Sequence, residues 1–184
     1  MDMNINNTKN DRLLKTYRPE NVGLFGCSAG ATLVVQAVAA WQKAGLPAPA
    51  VLGVYCAGLT LVDGDSAYFA HAGGAAGAPV QSVVQAGSSA YYEGLDVAQP
   101  ALSPANDLEL LRRFPPTLFM TGTRDFWMSS AAYSHRRLLK AGVPSELLIY
   151  DGLGHGFMTN PDLPESRDGY ELAAAFYRRH LGRR

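Results

Sequence analysis

Val22-Gly23-Leu24-Phe25-Gly26-Cys27-Ser28-Ala29-Gly30 runs straight into Ala31-Thr32-Leu33-Val34-Val35. Val22 to Phe25 is a short apolar run bounded by turn residues, as a buried strand requires. Ala29 to Ala44 is rich in Ala, Val and Leu, carries Trp41 and stops at Gly45, as a helix ending on a left-handed cap does. Between the two lies a Gly-x-Ser-x-Gly turn. A strand that turns sharply into a helix needs small residues around the serine, because the backbone there is strained and neighbouring segments pass closely. Such a turn lifts the Ser28 hydroxyl to the carboxyl end of the strand. It also puts the Ala29 amide at a helix N-terminus, where negative charge is stabilised.

Downstream the alternation repeats. Val51 to Tyr55 reads as a second strand, Thr117 to Met120 as a third, and Glu146 to Tyr150 as a fourth. Leu108 to Arg113, Ser129 to Ala141 and Pro164 to Leu181 read as helices. Apolar strands without polar alternation fit burial on both faces. The order predicts an α/β architecture, a parallel sheet of about four strands with helices on both faces. Residues 57–104 are rich in Gly, Ala and Ser and weakly periodic. They predict loops and a short helix over 82–86 or 88–93, with a flexible loop at 71–78. Residues 1–11 read as disordered or as a non-native start, with a helix end near Thr16 stopped by Pro19. Residues 12–184 read as the C-terminal portion of one domain.

Composition removes several classes of function. With 16 basic and 16 acidic residues in 184, the charge balance gives no support for a nucleic-acid or anionic-membrane partner. No apolar run approaches the roughly 20 residues of a membrane span, and Met1 to Asn10 lacks the apolar stretch of a secretion signal. A cytoplasmic location is therefore expected. Two cysteines make no disulfide framework. No Cys/His spacing suits zinc, and no cofactor or metal is expected.

A serine hydroxyl is a poor nucleophile until a base takes its proton. The base should be a downstream histidine, with a carboxylate between the two in sequence. Of four histidines, His155 lies in a glycine-flanked loop just after the fourth strand. His71 falls in the low-complexity loop, His135 on an expected solvated helix face beside Arg136 and Arg137, and His180 near the C-terminus. Asp125 is the acidic residue of the loop after the third strand. Its plainer reading, the lesser of the two, is a cap for the helix that starts near Ser129. Asp151 is its rival but stands only four residues before His155. Gly64-Asp65-Ser66-Ala67 imitates a second elbow, yet Tyr68 replaces its closing glycine and it reads as loop. Cys27 suggests a redox role, with a buried inert thiol as the plainer reading. Arg124 is expected to position its loop.

These residues resemble the hormone-sensitive-lipase-like branch of the α/β-hydrolases, which includes bacterial esterases and acetyl-hydrolases. The likeness is carried by Arg18 through Gly30, then Pro100-Ala101-Leu102-Ser103-Pro104, then Phe114-Pro115-Pro116-Thr117-Leu118 with Gly122-Thr123-Arg124-Asp125. It continues through Gly154-His155-Gly156-Phe157 and Pro164-Glu165-Ser166. It runs from about residue 12 to the end. The resemblance implies Ser28, Asp125 and His155 as a triad, the Ala29 amide as an oxyanion donor, and carboxylic-ester hydrolysis through an acyl-enzyme. Short acyl (acetyl-type) esters are the expected substrates, since an open site offers little apolar wall.

The departures are specific. The family carries a His-Gly-Gly-Gly segment upstream of the serine, together with cap helices and first strands, and none precedes Ser28 here. Ala31 stands where glycine is usual, and Cys27 where an acidic or small residue is usual. The expectation is a partial, N-terminally truncated α/β-hydrolase fold. Its activity would be weak, or the chain would be an impaired fragment or binding module. The strand Val22 to Phe25 would then be an uncovered apolar edge, which predicts a homo-oligomer.

Overall fold

Parallel strands cannot be joined by a tight turn, so the chain must leave the sheet and return between them. The computed structural model describes residues 15–62, 64–69 and 91–182, and in it this rule sets the element order. Strand β1 (Gly23–Cys27) feeds helix α1 (Ala29–Lys43), which returns to β2 (Val51–Tyr55). A one-turn helix α2 (Ser66–Phe69) and a short α3 (Leu108–Leu111) precede β3 (Thr117–Arg124). Helix α4 (Met128–Lys140) leads to β4 (Ser145–Gly154), and α5 (Pro164–His180) closes the described chain. The sheet runs β1-β2-β3-β4, with all three pairings parallel.

All five residues of β2 are buried, which is why its sequence shows no polar alternation. Leu52 and Val54, with Phe119 of β3, face Val35 and Val38 of α1 and Leu138 of α4. Val51 and Tyr55, with Leu118 and Met120 of β3, face Ala173 and Phe176 of α5. Helices therefore cover both faces, as expected. β1 is an edge of the sheet among the described residues, and Phe25 on it is 66% exposed.

Three expectations need correction. Thr121–Arg124, read as loop, continues β3, and Asp151–Gly154 continues β4. These extensions pair with each other, Thr121 with Ile149, Gly122 with Tyr150, and Arg124 with Gly154 after a shift in register. Gly122 permits the approach, since a Cβ there would lie 2.1 Å from the Leu153 carbonyl oxygen. The imitation elbow forms a helical turn rather than a loop. The Ser66 and Ser129 amides donate to each other's hydroxyl oxygens at 3.0 and 2.8 Å, and the Ser66 hydroxyl donates to the Phe126 carbonyl at 2.8 Å. The helix over 88–93 is not seen in its described part, where Tyr91 to Glu93 are turns. The readings of 1–11, 71–78 and 82–86 fall outside the described residues. Among the described residues no helix is long and apolar enough to cross a membrane.

Candidate active site

All strands of a parallel sheet end on one edge, and a site built from strand ends collects there. Each of the four strands ends one residue before a side chain with chemistry to offer. Ser28 follows β1, Cys56 follows β2, Asp125 follows β3 and His155 follows β4.

Ser28 has φ 55° and ψ −126°, a conformation costing a non-glycine residue about 1–3 kcal/mol. Its neighbours hold it there. The Ser28 amide donates to the Tyr55 carbonyl at 2.9 Å, and the Thr32 amide donates to the Ser28 carbonyl at 3.1 Å. The two glycines of the turn are not equivalent. A Cβ on Gly26 would sit 2.4 Å from the carbonyl carbon and oxygen of Gly30, whereas one on Gly30 meets no described atom within 4 Å. Only the first glycine is required by space. Ala29 opens α1, and an amide in a helix's first turn has no acceptor within its own helix.

The structure brings Ser28, His155 and Asp125 into one hydrogen-bonded chain. His155 Nε2 lies 2.8 Å from Ser28 Oγ, and His155 Nδ1 lies 2.9 Å from Asp125 Oδ1. Asp125 is fully buried. Its Oδ1 also accepts from the Trp127 amide at 2.9 Å, and its Oδ2 from the Thr121 hydroxyl at 2.8 Å. Burial pushes the Asp125 carboxyl up, but the hydrogen bonds from His155 and the Trp127 amide hold it below its ordinary value. An ionised carboxylate only accepts, so the network assigns the imidazole proton to Nδ1 and leaves Nε2 to accept from the serine hydroxyl. The Phe126 ring stacks on His155, with centroids 4.3 Å apart and planes 24° from parallel. The capping reading of Asp125 also holds in part, because the amide it binds stands just before α4.

The rival residues lie elsewhere. Asp151 is exposed and accepts from the Thr123 hydroxyl at 3.2 Å. His135 is not on a solvated face. It is half-buried, with Nδ1 2.9 Å from the Ser145 hydroxyl, and burial lowers its pKa. His180 packs on Phe176. His71 is outside the described residues. Cys27, read from sequence as a buried thiol, is half-buried.

Sequence reasoning missed Cys56. Its thiol accepts from the Gly156 amide at 3.2 Å, next to His155. The signal was its place directly after a strand, the same offset that marks Ser28. Donor atoms of Cys56, Asp125 and His155 lie within 4.8 Å of one another, the spacing of a metal-ligand set. Those of Asp125 and His155 are already hydrogen-bonded to each other. The arrangement is one that can take a proton from a hydroxyl and hold the resulting imidazolium against a buried carboxylate.

A profile of the alpha/beta hydrolase fold matches residues 5–159. An acetyl-hydrolase of Streptomyces hygroscopicus is 32% identical over 169 residues, covering 89% of this chain and 54% of that protein. A crystallised esterase superposes with a TM-score of 0.81 at 28% identity, over 95% of this chain and 53% of its own. An esterase from the bacterial hormone-sensitive lipase (HSL) family gives 0.77 at 26% identity, over 92% and 57%. The chain spans about half the length of the relatives it matches.

Proposed function

Because the chain belongs to the alpha/beta hydrolase fold family, we propose that it hydrolyses carboxylic esters through a serine acyl-enzyme. The observation that carries the reading is the unbroken chain from Ser28 Oγ through His155 to buried Asp125. His155 Nε2 takes the hydroxyl proton as Ser28 Oγ attacks the ester carbonyl. Negative charge then develops on the carbonyl oxygen, and the Ala29 amide at the start of α1 is the donor that serves it. His155 returns the proton to the leaving alcohol. Water, activated by the same imidazole, then releases the acid. Asp125 stays ionised throughout and keeps Nδ1–H pointed at itself.

Acetyl-type esters are the proposed substrates, supported by the acetyl-hydrolase relative. Cys27 and Cys56 are free thiols, which suits a reducing cytoplasm. The uncharged edge strand β1 is the proposed contact with a second copy.

p-Nitrophenyl acetate hydrolysis tests the reading. Ser28→Ala should lower the rate about 10⁴-fold or more with the circular dichroism unchanged, and a fluorophosphonate should label Ser28 of the wild type. Equal rates in the two proteins, or an unlabelled Ser28, would leave a binding module of hydrolase fold.

A further inference from the structure

Side chains along β2 alternate between the sheet faces, with Val51 and Tyr55 toward α5 and Leu52 and Val54 toward α1. One more step would send Cys56 toward α1. It packs on the α5 side instead, because its φ is 49°, a left-handed value that reverses the alternation. Cys27 packs against the same cluster. Cys27 is in register with Tyr55 on the adjoining strand, so Cys56 stands one residue beyond that register. Neighbouring strands run about 4.8 Å apart, which places such positions in the Cα range that a disulfide bridges. Both sulfurs reach Met158 Sδ, from Cys27 at 3.7 Å and from Cys56 at 3.8 Å.

The two thiols differ. Cys27 is half-buried and Cys56 is buried. A hydrogen bond from Cys56 pulls the Cys27 thiol down to about 7, against burial and with help from His155. The same bond, together with burial, pushes Cys56 up. Cys27 is thus the more exposed and the more acidic thiol of the pair.

We propose that Cys27 and Cys56 are a hydroperoxide-sensitive thiol pair whose disulfide switches off the adjoining Ser28 site. The Cys27 thiolate attacks the distal oxygen of a hydroperoxide. The O–O bond breaks, the alkoxide leaves as an alcohol with a proton from solvent, and Cys27 becomes a sulfenic acid. Cys56 sulfur then attacks Cys27 sulfur. The S–O bond breaks, and hydroxide departs with the Cys56 proton as water. Two thiols and one hydroperoxide give one disulfide, one alcohol and one water. Cys56 sulfur must turn from the Gly156 amide to reach its partner. That loosens the turn aiming His155 at Ser28, while Cys27 is itself bonded to Ser28.

The chain has only two cysteines, so intact mass reads the reaction directly. The folded protein is treated with hydrogen peroxide, quenched, denatured and alkylated. The mass should fall by about 2 Da with no alkyl group added, and dithiothreitol should restore two alkylatable thiols. Ester hydrolysis should fall at least about tenfold and recover with dithiothreitol, because displacement of a catalytic group by about 1 Å can cost about 100-fold. The oxidation rate should rise with pH through about 7. Cys27→Ala should keep its own rate through peroxide treatment. Cys56→Ala should stop at a Cys27 sulfenic acid that dimedone traps. Two alkylatable thiols after peroxide, or a bridge only between chains, overturns the pair. A disulfide without loss of hydrolysis overturns the switch. The activity arm rests on the esterase reading, but the mass arm does not, so the two ideas fail separately.

Discussion

Ser28 and Cys56 are the non-glycine residues with left-handed backbone among those described, and they stand at the ends of neighbouring strands. Strain of this kind persists only where surrounding bonds fix it. The Ser28 amide is tied to Tyr55 and the Cys56 amide to Met120. Asp125 is held from more sides, by hydrogen bonds to each carboxylate oxygen, and this sets its pH signature. Its carboxyl titrates below the ordinary value in the folded chain, so the unfolded chain takes up the proton first. The stability it contributes is complete above the ordinary carboxylate range, about pH 4, and is lost as the pH falls through the folded value. Melting temperatures from pH 7 to pH 3 should show wild type and Asp125→Asn converging toward acid. Parallel curves would remove Asp125 from the acid transition. The grouping of Ser28, Asp125 and His155 was legible in the sequence, because the order of serine, carboxylate and histidine after successive apolar strands is written there. Cys56 directly follows β2, but the left-handed backbone that turns it to the α5 face is not announced locally.

At the scale of elements, the turn between β1 and α1 makes unequal demands on its glycines. Gly26 faces the Gly30 backbone at 2.4 Å, while Gly30 faces open space among the described residues. Gly26→Ala should cost about 3 kcal/mol, since backbone cannot rotate aside as a side chain can. Gly30→Ala should change stability by no more than about 0.5 kcal/mol. Urea titrations of both variants measure this, and equal losses would refute the distinction. The cores of the elements were readable from apolar runs. β2 matches its expected bounds, and α1, α4 and α5 match to within a residue or two. The ends of β3 and β4 were hidden, because Thr121–Arg124 and Asp151–Gly154 are polar or glycine-rich and become strand only by pairing with each other. Their extension carries Asp125 and His155 outward together, which is how residues 30 positions apart come within 2.9 Å.

Over the whole molecule, the sheet formed by the described residues has two different edges. β4 carries Glu146 and Asp151, with Arg179 bonded to Glu146, and charge discourages edge pairing. β1 carries no charge and presents Phe25, with Leu33 of α1 also about half exposed. Sedimentation velocity over a range of concentrations should show a dimer, and Phe25→Lys should shift it to monomer with the circular dichroism intact. A wild-type monomer at the highest concentration would remove this edge as a contact.

The same position has a kinetic meaning for the nucleophile. Among the described residues β1 is held by one ladder, whereas β2 and β3 are each held by two. An outer strand detaches locally at far less free energy than the central strands require. Ser28 therefore follows an outer strand, while Asp125 sits at the end of a central one. Amide exchange in residues 23–27 should outrun that of β2 and β3 and slow when a second copy covers the edge. The aim of the serine would then be governed by local opening and protein concentration well before the domain as a whole unfolds.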